Sequence, residues 1–249
     1  MDLGRWKAPQ TETEARIELA AAYRYAYDLG WTDLSATHFS LRVPGDPESY
    51  LMLAEGLFFN EVTASNLVKL RIDGGAPTKG VNPAGVTIHA AILGGNSAVN
   101  AVMHTHSVAG VAVSNSSVGL LPTSQHALRF YKAAERHKYE GIALDDEEGP
   151  RLVEKLGDNE LLLLANHGLL AAGRDLPHAF SAMYYAEKAC QMQVATYSMD
   201  TAAALVPGKI ATRTKEQYEL SHGYMYRDWM AICREVDRSH PGFDQFQDL

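Results

Sequence analysis

The order of strand-like and helix-like segments predicts an α/β fold: one mixed sheet with helices on both faces. Two observations carry this. Short apolar runs such as Leu161-Leu162-Leu163-Leu164-Ala165 read as buried strands, and capped amphipathic stretches such as the one opened by Asp175-Leu176-Pro177 read as helices. A third is the absence of any repeat, low-complexity tract or linker between them, so residues 1–249 are expected to form a single domain.

Taken in order, Thr11-Glu12-Thr13-Glu14 matches a capping box, in which the Thr11 hydroxyl and the Glu14 carboxylate each satisfy a free amide of the first turn. The helix it starts should stop at Gly30. Phe39 to Val43 and Tyr50 to Leu53 are strand-like and are separated by the turn residues Pro44 to Pro47. Asn60 to Asn66 reads as a short turn or helix, followed by a strand from Leu67 to Ile72 that ends at Asp73-Gly74-Gly75. Asn82-Pro83 is a helix start, because Asn caps and Pro fits the first helical position; that helix should run to Leu93.

Ala101 to His106 is the next strand, with a helix from about Ala109 to Asn115. The buried strand Leu161 to Ala165 breaks at His167-Gly168 and returns over Leu169 to Ala172. The helix from Leu176 should reach Tyr197, and Thr214 to Arg238 should be helical again.

Composition narrows the function classes. The 249 residues carry a formal net charge of −8 with no Lys or Arg run, which excludes nucleic acid and anionic membrane as expected partners. Cys190 and Cys233 lack ligand spacing and read as reduced core residues. The N-terminus shows no signal pattern and no apolar stretch reaches the roughly 18 residues needed to span a bilayer. The cytoplasm is therefore the expected compartment.

Chemistry enters with the histidines. Strand side chains alternate faces, so His104 and His106 project together while Thr105 points the other way. Two imidazoles about 6–7 Å apart along a strand can converge on one cation through suitable rotamers. His167, where a buried strand gives way to Gly168, is the candidate for a third ligand. Three neutral imidazoles suit Zn, with Mn or Fe as alternatives, and coordination positions left open distinguish a catalytic from a structural site.

Around these residues lie Asn100 to Ser114 (NAVMHTHSVAGVAVS), Leu120-Leu121-Pro122, Tyr139-Glu140-Gly141 and Asn166-His167-Gly168-Leu169. Earlier come Ser35 to Arg42, Glu61 to Leu67 and Val81-Asn82-Pro83-Ala84-Gly85. In this order the motifs resemble the class II aldolase/adducin family over roughly residues 12 to 236. The resemblance implies a three-layer α/β/α fold with a central mixed, mainly antiparallel sheet. It also implies one divalent metal ion per subunit on His104, His106 and His167, and a homotetramer with sites between subunits.

The chain departs from the sugar-phosphate aldolases it resembles. Their Pro-Ser-Ser-Glu segment supplies phosphate-binding hydroxyls and an acid/base Glu; an ungapped count back from His104 puts Gly85 at the Glu, with Pro83 and Ala84 at the serines. Their Gly-Asn-X-Ser corresponds to Thr37-His38-Phe39-Ser40, and their Thr-Gly turn to Glu55-Gly56. Hydroxyl and amide donors are lost and a carboxylate is added, which disfavours a phosphate dianion. A small non-phosphorylated hydroxy-carbonyl or hydroxy-carboxylate substrate is expected instead, cleaved by a metal-dependent carbon–carbon lyase. The branches similar to the Asn-Pro-Ala-Gly type also include non-haem iron oxygenases, and adducin-like members that act as scaffolds.

Catalytic candidates are Glu55, as a replacement general base or a solvated turn residue, and His38, as a proton carrier or a structural residue. Substrate-binding candidates are Gly56, Gly85, Gln125 and His126. His89 reads as a buried, hydrogen-bonded packing residue, and His137 with Tyr139 as part of a solvated loop. His178, His222 and His240 read as surface or helix positions, and the acidic run Asp145 to Glu148 as a helix start.

Overall fold

The computed structural model describes residues 6–74, 80–144, 147–199, 202–221 and 223–246. Gly75, Asp145, Asp146 and His222 of the readings above lie outside them. The first helix, α1 (Glu12–Asp28), opens on the expected capping box: the Thr11 hydroxyl accepts from the Glu14 amide and the Glu14 carboxylate from the Thr11 amide, both at 3.2 Å. It buries Leu19, Tyr23 and Ala26. The Tyr23 hydroxyl donates to the Phe39 carbonyl and accepts from the Phe39 amide, tying α1 to the sheet.

The strands are β1 (His38–Val43), β2 (Asp46–Leu53), β3 (Leu67–Arg71), β4 (Ala101–Thr105), β5 (Ala134–His137), β6 (Leu161–Leu164) and β7 (Gly168–Gly173). They form one seven-stranded sheet in the order β3-β2-β1-β4-β7-β6-β5. Every pairing is antiparallel except β5 with β6. The sheet is thus mixed and mainly antiparallel, as expected.

On one face pack α2 (Pro83–Gly95) and α5 (Glu148–Leu156). On the other pack α1, α3 (Val108–Asn115) and α6 (Leu176–Tyr197), with α4 (Gln125–Leu128), α7 (Gly208–Leu220) and α8 (Gly223–Ser239) outside α1 and α6. Asn82 caps α2 through the Ala84 amide, and Asp175 caps α6 through the His178 amide. Both caps were legible as Asn-Pro and Asp-Leu-Pro. Among the described residues no helix is long and apolar enough to cross a membrane.

Three readings need correction. Strand β2 starts at Asp46, not Tyr50, because the chain reverses at Pro44-Gly45 and Val43 pairs directly with Asp46. The stretch from Glu135 is a loop only beyond His137, where Tyr139 is exposed: its first half contributes to β5, a polar edge strand whose His137 is 3% exposed and bonded to Glu148 at 3.0 Å. The C-terminal helix is two helices, broken around Ser221. His178 is on a helix, as expected, and is buried.

Candidate metal centre

At the end of β4, His104 is fully buried and its Nδ1 lies 2.9 Å from the Leu169 carbonyl oxygen of β7. A carbonyl can only accept, so Nδ1 carries the proton and Nε2 presents a lone pair. His106 repeats the arrangement: Nδ1 meets Asp33 Oδ2 at 3.0 Å, leaving Nε2 as acceptor. His167 arrives from the β6–β7 turn. Asn166 takes the left-handed conformation (φ 59°), and Gly168 presses against β4, where a Cβ would lie 2.1 Å from the Thr105 carbonyl oxygen. Only glycine permits that approach, which delivers His167 to the β4 pair.

The three Nε2 atoms converge. His104 Nε2 is 2.8 Å from that of His106 and 3.2 Å from that of His167, and one nitrogen from each ring lies within 4.8 Å of the others. Lone pairs held face to face repel unless a cation or a proton lies between them. Burial holds His104 well below the usual imidazole range, and burial with the neighbouring His106 holds His167 down to about 4. Protons are therefore poorly held there, and the donor set fits a divalent cation of the zinc type.

A fourth and a fifth histidine back the cluster. His38 faces His104 directly across the β1–β4 ladder, with ring centroids 5.1 Å apart. Its Nδ1 is 2.8 Å from His89 Nε2 on α2, and His89 Nδ1 bonds to the Ser40 hydroxyl. His38 is 2% exposed and His89 fully buried; burial, the largest cause in both, holds His38 well below its usual range and His89 down to about 3. The expectation that His89 is a buried, hydrogen-bonded residue describes it well.

Other expected residues are placed as follows. Glu55 and Gly56 form an exposed turn just after β2, at the same end of the sheet, with the Glu55 amide bonded to the Gly80 carbonyl ahead of α2. Gly85 lies in the first turn of α2 against the His38 ring. Gln125 and His126 are not brought to the cluster: His126 packs on Tyr185 of α6. Helix α6 covers the opposite sheet face, where Thr105 donates to Glu187 at 2.6 Å. The sequence reading missed Asp33 and Glu187. Neither shows a periodic signal, although Thr105 pointing away from the histidines implied a polar partner there.

A three-layer α/β/α protein whose sheet ends in converging imidazoles is of the class II aldolase type. The family profile described as Class II Aldolase and Adducin N-terminal domain matches residues 17–194, and the chain belongs to this family. A Caulobacter vibrioides protein with a provisional aldolase class 2 name is 39% identical over 242 residues, 95% of this chain and 94% of that one. Rat alpha-adducin is 38% identical over 210 residues, 80% of this chain but 28% of adducin. The crystal structure of an aldolase II superfamily protein from Pseudomonas syringae superposes with TM-score 0.89 and 43% identity, covering 96% of this chain and 98% of that one.

Proposed function

We propose that the chain is a metal-dependent carbon–carbon lyase acting on a small, non-phosphorylated hydroxy-carbonyl or hydroxy-carboxylate compound. The observation that carries this reading is the convergence of the three Nε2 atoms, with the outer nitrogens of His104 and His106 tied to Leu169 and Asp33. His104, His106 and His167 would hold one divalent ion, zinc by donor type, with manganese or iron as alternatives. When bound, that ion supplies Lewis acidity toward a chelated carbonyl or carboxylate oxygen, the common requirement of retro-aldol cleavage and decarboxylation.

The protein's own groups do the rest. Asp33 and the Leu169 carbonyl fix the tautomers and orientation of His106 and His104. Glu55, on the exposed turn beside Gly56, would be the group that exchanges a proton with solvent at this end of the sheet. His38 is too enclosed for that exchange, and its contacts favour the structural one of its two expected roles. Gly85 presents no side chain, which leaves the α2 side without a carboxylate. Gln125 and His126 would serve a substrate only across a subunit boundary. A homotetramer belongs to this reading, and the exposed Val108 and Leu34, each close in sequence to His106 or Asp33, offer apolar surface for it.

The test is elemental analysis of protein purified without added metal, followed by product assay on panels of hydroxy-carbonyl and hydroxy-carboxylate compounds with and without oxygen. About one divalent ion per chain, and cleavage abolished by His104→Ala, are expected. Iron with oxygen consumption would replace the lyase by an oxygenase. Full function of His104→Ala without metal would favour a scaffold, the reading to which the adducin similarity points.

A further inference from the structure

The three converging histidines do not need His38, His89 and Ser40 in order to meet, yet α2 is shaped around these three residues. Gly85 and His89 stand four residues apart on one face of α2, the face turned to β1. At Gly85 the helix has a hole: a Cβ there would lie 2.7 Å from His38 Cδ2 and 2.9 Å from His38 Nε2, closer than real contacts allow. One turn further it has a handle, His89 Nε2 at 2.8 Å from His38 Nδ1. Ser40, two residues along the same face of β1, holds the far side of the His89 ring. The remaining side of His38 rests against the His104 ring, its cross-strand partner. Glycine is a poor helix former, so its presence in the first turn calls for a reason, and the His38 ring is that reason.

We infer that Gly85 and His89 form a socket that seats His38 against His104, making His38 and His89 positioning residues of the three-histidine centre. The seat has a consequence for access. Position 85 can carry no side chain while His38 is in place, so α2 adds no fourth protein ligand, and His38 closes that side. Approach is left to the side of His106 and Asp33, whose side chains keep 19% and 55% of their exposure, and to a small recess beside His167 lined by His137 and Tyr139. A centre of three nitrogens open away from α2 suits a substrate that offers two oxygens at once. That last step rests on the lyase reading; the socket does not.

Two measurements test it. On metal-free protein, thermal midpoints are compared for Gly85→Ala, His38→Ala and the double variant. Gly85→Ala should lower the midpoint in the native background and leave it unchanged or raise it once His38 is removed. Simple additivity would overturn the socket. On cobalt-loaded protein, His89→Leu should shift the visible ligand-field bands and weaken cobalt binding by roughly 10–100-fold, with both restored in His89→Gln, whose amide keeps a hydrogen-bonding group at the same place. Native bands and affinity in His89→Leu would overturn the positioning role. Should His89→Leu fail to fold, the same spectra on His38→Ala decide. If these results hold while no hydroxy compound is cleaved, the lyase reading fails and the socket stands.

Discussion

Two histidine-containing polar clusters lie at opposite ends of the sheet, and they are built on opposite principles. At the far end His178 bonds to Glu160 at 2.9 Å, and Arg129 holds the other Glu160 oxygen at 2.7 Å while donating to Ser181. Burial alone would raise Glu160, but His178 and Arg129 overcome it and hold the carboxyl down at about 2. The Glu160 carboxylate there has an opposite charge in Arg129, and both of its oxygens are bonded within the fold. At the other end His104, His106 and His167 turn like atoms toward one another, with no carboxylate among them. The comparison teaches that burial of a histidine says little. A buried histidine whose partner lies within the fold is structural, whereas buried histidines that leave matched lone pairs facing one point define a site.

Cavities alone would mislead here. Two recesses, about 250 and 550 Å³, lie along α6 and α8 and are lined by Arg129, Tyr185, Phe180 and Trp229. Neither contains a histidine of the converging trio.

The contrast can be broken most forcefully at the far end. Glu160→Ala leaves Arg129 buried without its carboxylate and should destabilise the protein by about 3–5 kcal/mol. Chemical denaturation reads this, while metal affinity per folded molecule should stay native. A loss of metal binding in the folded variant would erase the distinction between the two ends.

A smaller effect sharpens it through pH. Glu18 packs against Trp229 near the far end and accepts from the Trp6 and Trp229 indoles at 2.7 and 2.9 Å, while burial, opposed by those bonds and aided by Asp175, pushes its carboxyl up to about 7. A raised acid binds its proton more tightly folded than unfolded, so stability falls as pH rises from about 4.5 to 7. Glu18→Gln keeps the acceptor and removes the charge; it should gain about 1–3 kcal/mol at pH 8 and nothing at pH 4. His89 has the opposite sign: its pKa is lowered from 6.5 to about 3, so the unfolded chain takes up protons first. Metal-free protein should lose about 1 kcal/mol per pH unit to His89 as pH falls below 6.5. Denaturation midpoints across pH 4 to 8, for the native chain and Glu18→Gln, separate the two slopes.

The smallest effect is at Asp33. Its carboxylate is 55% exposed, so Asp33→Asn should weaken metal binding only toward the lower end of the roughly 10–100-fold range for such partners, without changing the fold's stability. Calorimetric titration with zinc checks it, and a native affinity would show that His106 is oriented by other contacts.

Local rules made much of this chain legible in advance. The capping box at Thr11, the Asn82-Pro83 and Asp175-Leu176-Pro177 helix starts and the apolar run from Leu161 depend on interactions within a few residues, and each stands in the structure. The two-residue alternation put His104 and His106 on one face, and the break of a buried strand at Gly168 marked His167 as the third candidate. Strand β5 was not legible, because its Ala-Glu-Arg-His carries no apolar pattern and gains its place only by pairing with β6. Asp33 and the seating of His38 between Gly85, His89 and His104 were decided by tertiary structure alone. Sequence spacing specifies which face a side chain takes; which distant groups share that space depends on how the strands and helices pack.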